Sequence, residues 1–385
     1  MLVVALDLAG RARPPAGHAV QRRHAEDDAP VGAFKRGFHN RTPLVLIVAG
    51  LLLVPALLGV QWLFTSGAWT SVPLDRALRN PEDSFTYISW MVGKARQQPP
   101  STPGLYLVGG SSARESIVSG AGLAGEIAQD GGPRVAAYDL GSINQNFAES
   151  LAVVDSVPDT PAWMLVGINL GRFTESKQTN AVQSEGRELL LESGAVHSFV
   201  ASHWGLEKYQ YTILPGIWSY ITGWAKAHGA DLIEGKSPST EYALHRYSAA
   251  TQRSDGQKKR LVTKWNTSRR PLFEQNVAAN LQMLEELLQQ ARERGVRVVL
   301  VELPLNTQIV GDSFATSQQQ YREPVTALAN KYGAPYIDLN KTVDIPSRDF
   351  QDLSHLIAPG RVIWQHALAK ELAPLLRRDA GGSSG

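Results

Sequence analysis

The feature that most restricts the fold of this chain is a rhythm. Apolar runs at residues 105–108, 134–140, 162–169, 296–304 and 334–339 alternate with stretches of helical pattern. A run such as Leu105, Tyr106, Leu107 and Val108, with no polar residue interleaved, suits a strand covered on both faces. Helices are expected at 113–128, 144–157, 272–294, 321–332 and 361–376. In the third of these Leu281, Leu284 and Leu288 recur at helical spacing. Strand, helix and strand at such intervals predict an α/β fold with a parallel sheet and right-handed crossovers. In such sheets ligands sit beyond the carboxyl ends of the strands.

The first apolar run breaks at Gly109 and Gly110 and is followed by Ser111 and Ser112. Glycines there permit a tight turn, and a helix starting after them directs free N–H groups at the turn. Gly-Gly-Ser-Ser is also ordinary loop composition, so the reading depends on partners downstream. Asp352 and His355 share one loop, and can serve a serine as orienting carboxylate and base. The N–H groups of Ser111 and Gly141, with the side-chain amide of Asn169, can receive a developing oxyanion, because each falls at the end of an expected strand. The catalytic set is thus Ser111, Asp352 and His355, with Ser112 as the alternative nucleophile if the register shifts by one. Arg114 and Glu115 are read as first-turn helix contacts.

Composition narrows the rest. Of 385 residues 43% are hydrophobic and 19% charged, enough for a full core in two domains or one enlarged one. A net charge of +2 argues against a nucleic-acid partner. The absence of cysteine excludes disulfides, thiolate metal sites and cysteine nucleophiles. The histidines lack ligand spacing, so no metal and no cofactor is expected. Residues 1–42 read as a cytoplasmic tail. Residues 43–64 carry no charge and are long enough to cross a bilayer. Lys35, Arg36 and Arg41 precede that segment and place the tail inside, so the remainder lies outside the cytoplasmic membrane on a single-pass anchor. The competing reading is a signal peptide cleaved among the small residues at 65–68. Residues 65–103 read as a stem or linker ending in the Pro-rich 98–103, and 104–376 as the globular domain. Within it 172–270 departs from the rhythm and reads as a largely helical insertion, whose aromatic stretch 213–224 can rest on the domain, a membrane or a partner. Residues 377–385 read as a tail.

Four blocks in order, Gly109-Gly110-Ser111, Gly141, Gly167-Ile168-Asn169 and Asp352-Leu353-Ser354-His355, resemble those of the SGNH (GDSL-type) hydrolase superfamily, with Gly110 where that family carries an acidic residue. The resemblance implies a flavodoxin-like three-layer parallel sheet over 104–376, here with a large helical insertion and preceded by one transmembrane helix. With the anchor, it extends to SGNH proteins of cell-envelope acylation, such as alginate acetylation and teichoic-acid D-alanylation. That likeness implies a periplasmic serine O-acyltransferase that takes an acyl group from a membrane-bound O-acyltransferase partner and passes it to a polysaccharide hydroxyl. The alternatives are an extracytoplasmic carbohydrate esterase and a non-catalytic, membrane-tethered polysaccharide-binding or assembly subunit.

Overall fold

The computed structural model describes residues 67–176, 222–236 and 239–381, together with Val48, Leu51 and Leu52. The chain divides into two units, Met1–Gly59 and Val60–Gly385. In the first only those three residues are described, and they are helical. The expected tail 1–42, nearly all of the expected anchor 43–64 and most of the aromatic stretch 213–224 lie outside the described residues. Among the described residues no helix is long and apolar enough to cross a membrane.

The second unit is built on five strands, β1 Gly104–Val108, β2 Ala136–Asp139, β3 Ala162–Ile168, β4 Arg297–Glu302 and β5 Tyr336–Asp338. They form one all-parallel sheet in the order β2-β1-β3-β4-β5. Alternate residues feed two cores. Tyr106, Val108, Met164, Val166, Val298 and Leu300 face one side, and Leu105, Leu107, Trp163, Leu165, Val299 and Val301 the other. The first core is closed by helices α1 Ser84–Gln97, α4 Phe147–Ser156, α6 Arg270–Glu293 and α7 Ala315–Tyr332. The second lies under α3 Gly120–Gln129 and α8 Ala358–Gly381. A sheet covered on both faces explains the uninterrupted apolar runs and is compatible with a three-layer α/β fold. Strand order reverses between β1 and β3, which opens a crevice at their carboxyl ends.

Three expectations are corrected. The expected stem is part of the body: Ile88 and Val92 of α1 are fully buried in the first core beside α4. Their four-residue spacing puts both on one helical face, and Asp83 caps the helix by accepting from the Thr86 N–H at 3.2 Å. The helix expected over 113–128 is two pieces, α2 Ser111–Arg114 and α3. The chain restarts at Ser119, whose hydroxyl accepts the Gly122 N–H at 3.0 Å. The expected end of the insertion at 270 falls inside continuous helix, because α5 Asp255–Lys264 runs through a π-helical segment, Trp265–Arg269, straight into α6.

If α1 belongs to the core, Ile88→Ala is expected to lower stability by about 2–4 kcal/mol in urea unfolding. An unchanged midpoint and slope would return this helix to the role of a separable stem.

Candidate active site

Ser111 is the first residue of α2, directly beyond β1. Gly109 holds φ at +152°, and a Cβ there would stand 2.8 Å from the Ala113 Cβ, so the turn needs glycine. The Gly109 N–H donates to Gln145 Oε1 at 2.6 Å, while Gln145 Nε2 donates to the Leu140 carbonyl at 2.9 Å. One buried amide thus ties the exit of β1 to the exit of β2.

On the opposite side, Asp352 and His355 sit on a loop stapled at several points. Phe350 and Leu356 pair as an antiparallel bridge, the Gln351 N–H donates to the His355 carbonyl at 2.8 Å, and the Asn306 N–H donates to the Leu353 carbonyl at 2.9 Å. The loop delivers His355 to Ser111. Ser111 Oγ and His355 Nε2 are 2.8 Å apart, and His355 Nδ1 lies 2.9 Å from both Oδ1 and Oδ2 of Asp352. Burial alone raises the Asp352 pKa, but the His355 side chain and the backbone N–H groups of Ser354 and His355 hold its carboxyl below the usual range. The carboxylate therefore stays ionised and fixes the imidazole with its Nε2 lone pair toward the hydroxyl. Ser112 does not share this arrangement. It is buried and donates to Ser354 Oγ at 3.0 Å, so the contact chain runs through Ser111.

A cavity of about 350 Å³ opens beside Ser111, with His355, Asp352 and Asn169 in its lining. Asn169 Oδ1 accepts the Arg172 N–H at 3.2 Å, which leaves Nδ2 as the end free to meet a ligand. Arg172, buried, spans from the Gly167 carbonyl at 2.7 Å to the Asn146 carbonyl at 2.9 Å and Ser150 Oγ at 2.7 Å, and so fixes β3 against α4. The Ser111 N–H, at the first helical position, has no hydrogen-bond partner among the described residues.

Gly141 departs from expectation. Its N–H donates to Asp139 Oδ1 at 3.1 Å, it does not line the cavity, and a Cβ there would stand 2.7 Å from the Arg114 N. It is a close-packing position against α2 rather than an open donor. Three residues on, Asn144 does line the cavity, with φ at +54°, and its N–H is unpartnered among the described residues. Among the described residues it is the only one other than glycine with positive φ. Such a conformation costs about 1–3 kcal/mol and gathers at functional sites. An Asn in the left-handed region is the one signal in the sequence that marks it, since Asn tolerates this conformation better than most residues.

Arg114 and Glu115, expected as first-turn helix contacts, belong to a group of buried charges around α2. Arg114 and Glu115 are fully buried and 3.2 Å apart, and Glu115 also binds Arg361 of α8 and the Arg246 N–H at 2.8 Å. Arg361 Nη2 donates in turn to the Tyr247 carbonyl at 2.6 Å, and the Tyr247 ring stands against His355 with centroids 5.0 Å apart. The insertion is thereby joined to Glu115, at the end of α2, and through Tyr247 to His355. Burial opposes ionisation of Glu115, but His245, the Arg246 amide, Arg361 and Arg114 together hold its carboxyl below the usual range. Asp139, at the end of β2, goes the other way: burial pushes it up to about 8.

Comparison with models of known protein families finds no match, and comparison with curated proteins finds none either.

The Asp139 shift has a sign that can be measured. Between the ordinary value of 3.8 and about 8 the folded state holds a proton that the unfolded chain releases, so this group lowers stability as pH rises through that interval. Asp139→Asn keeps the acceptor for the Gly141 N–H and removes the ionisation. Its thermal midpoint is expected to exceed that of the unaltered protein at pH 8, with the gap narrowing steadily towards pH 5. A constant offset across this range would mean that Asp139 is ionised throughout, paired with Arg114.

Proposed function

We propose that this chain is a serine-dependent O-acyltransferase of the SGNH type, forming an acyl-serine at Ser111 and passing the acyl group to a saccharide hydroxyl. The observation that carries this reading is the unbroken chain of contacts from Ser111 Oγ through His355 to Asp352, at the carboxyl edge of a parallel sheet and at the mouth of a cavity. The strand order β2-β1-β3-β4-β5, with helices on both faces, supports a flavodoxin-like three-layer fold, and the resemblance of the four sequence blocks to that superfamily supports the reading further.

Ser111 Oγ attacks the acyl carbonyl of the donor while its proton passes to His355 Nε2, and Asp352 stabilises the imidazolium that results. The carbonyl oxygen takes up negative charge and is met by the Ser111 N–H, by Asn169 Nδ2 and, in the place expected for Gly141, by the Asn144 N–H. Collapse breaks the bond to the leaving group, which takes the proton from His355. The acceptor hydroxyl then repeats the sequence on the acyl-serine, giving its proton to His355 and restoring Ser111. In this proposal residues 43–64 anchor the chain in the cytoplasmic membrane, the domain works on the outer side, and a membrane-bound O-acyltransferase supplies the acyl group. With water as acceptor the same steps make an esterase.

The test is turnover of a chromogenic acetyl ester by the purified full-length chain, with and without oligosaccharide. Ser111→Ala is expected to lower the rate ~10³-fold or more, and added oligosaccharide is expected to appear as acylated product. Ser111-dependent release of free acid alone, whatever the acceptor, would make the chain an esterase. Turnover equal in the unaltered protein and in Ser111→Ala would leave a polysaccharide-binding subunit.

A further inference from the structure

Lys258, in α5, is wholly buried, while its neighbours Lys259 and Arg260 are exposed. Lysine is almost never found in that state unless its charge is paired, because taking an ammonium out of water is costly. Here the ammonium meets the loop that carries Asp352 and His355. Nζ donates to the Ser347 carbonyl at 2.5 Å and to Ser347 Oγ at 3.2 Å, and it stands 3.7 Å from Asp255 Oδ1.

Ser347 passes the connection on. Its Oγ donates to Asp255 Oδ1 at 2.7 Å and accepts from Asn306 Nδ2 at 3.1 Å. Asn306, also wholly buried, shares that Nδ2 with the Asp352 carbonyl at 3.3 Å, and its N–H holds the Leu353 carbonyl at 2.9 Å. A bonded path thus runs from the Lys258 ammonium to the backbone of Asp352. The chain just before α5 grips the same loop again, with the Arg253 N–H donating to the Gln351 carbonyl at 3.1 Å and Gln252 Nε2 to the Arg348 carbonyl.

Hydrogen bonding alone would not call for a charge, since a neutral donor could meet Ser347. The acids around Nζ do call for one. Burial holds the Lys258 pKa below its ordinary value, while Asp255 on its own helix and Asp352 and Asp349 on the loop act the other way. Attraction between two charges is mutual, so a cation favoured by Asp352 favours the Asp352 carboxylate in return. That carboxylate faces His355 Nδ1 and, at longer range, Tyr247.

We infer that Lys258 is a positioning residue of the site: through Ser347 it fixes the loop, and its positive charge favours the net-negative form of the Asp352–His355 pair, in which Nε2 is free to accept a proton. The inference rests on the acyl-serine reading, since the proton in question is that of Ser111.

The experiment is the rate of Ser111 labelling by a fluorophosphonate in the full-length chain at low ionic strength, followed from about pH 5 to about pH 9. The unaltered protein is compared with Lys258→Met, Lys258→Arg, Ser347→Ala and Asp255→Asn, each checked for folding by its thermal midpoint. Lys258→Met is expected to lower the plateau rate ~10-fold as the loop loosens. Its acid limb is expected to move up by ~0.5 pH unit, because without the cation the pair takes a proton more readily. Lys258→Arg keeps the charge and is expected to keep the limb in place. Ser347→Ala cuts the bonded path and leaves the charge, so its plateau is expected to fall with the limb unmoved. Asp255→Asn keeps an acceptor for Ser347 Oγ and removes an opposing acid, so its limb is expected to move down. The Asp255 side chain is mostly exposed, and this variant decides the matter if Lys258→Met does not fold. An unmoved limb in folded Lys258→Met, an unmoved limb in Asp255→Asn, or an equal shift in Ser347→Ala would overturn the inference and leave the acyl-serine reading standing. Absence of Ser111 labelling in the unaltered protein would remove that reading, and this inference with it.

Discussion

The hydrogen bond between Ser111 Oγ and His355 Nε2 joins residues 244 apart in sequence, and most of the ordered structure around the site serves to hold its two ends. A bond of this kind is useful only if both partners wait in place, because imidazole misplaced by an ångström loses both the hydroxyl proton and the carboxylate behind it. One end is fixed by the Gly109 turn and by Gln145, the other by the bridge between Phe350 and Leu356 and by Asn306. Neither end is held by side chains that react. The parallel sheet fixes the distance between the two ends, and the loops make the final placement.

Buried charge does a second part of this work. Arg114, Glu115 and Arg361 are buried around the short helix that begins at Ser111, where desolvation is severe and only mutual pairing makes ionisation tolerable. Such a group is a poor source of net stability and a strong source of geometric definition, since any other arrangement leaves a charge unpaired. It joins three distant parts of the chain: α2, the insertion around Tyr247, and α8. The insertion is therefore an integral wall of the site, reaching His355 on one side through Tyr247 and the cavity on the other through Trp265 and Arg269.

Much of the architecture was legible in the sequence, for reasons that can be named. Strands buried on both faces leave continuous apolar runs, so β1, β3 and β4 declared themselves. The residues of the contact chain Ser111–His355–Asp352 could be singled out because a serine after a Gly-rich turn and an Asp-x-x-His pair are local patterns. What was not legible depends on contacts made at long range. Nothing near Glu115 announces Arg361, 246 residues later, so a buried ion pair passed for a helix contact. Gly141 looked like an open donor because its neighbour's side chain could not be aimed from sequence, and Asp139 takes its N–H. Residues 65–103 read as a stem because the Pro-rich run that ends them has the composition of a boundary, while the burial of Ile88 and Val92 is decided by the distant α4.

The central claim is that Ser111, and not its neighbour, is activated by His355. Its most direct test is the reaction of the full-length chain with a fluorophosphonate, followed by peptide mass mapping, beside His355→Ala and Ser112→Ala proteins. The account calls for modification at Ser111, lost in His355→Ala and kept in Ser112→Ala. Modification of Ser112, or labelling of Ser111 at the same rate without the imidazole, would contradict it.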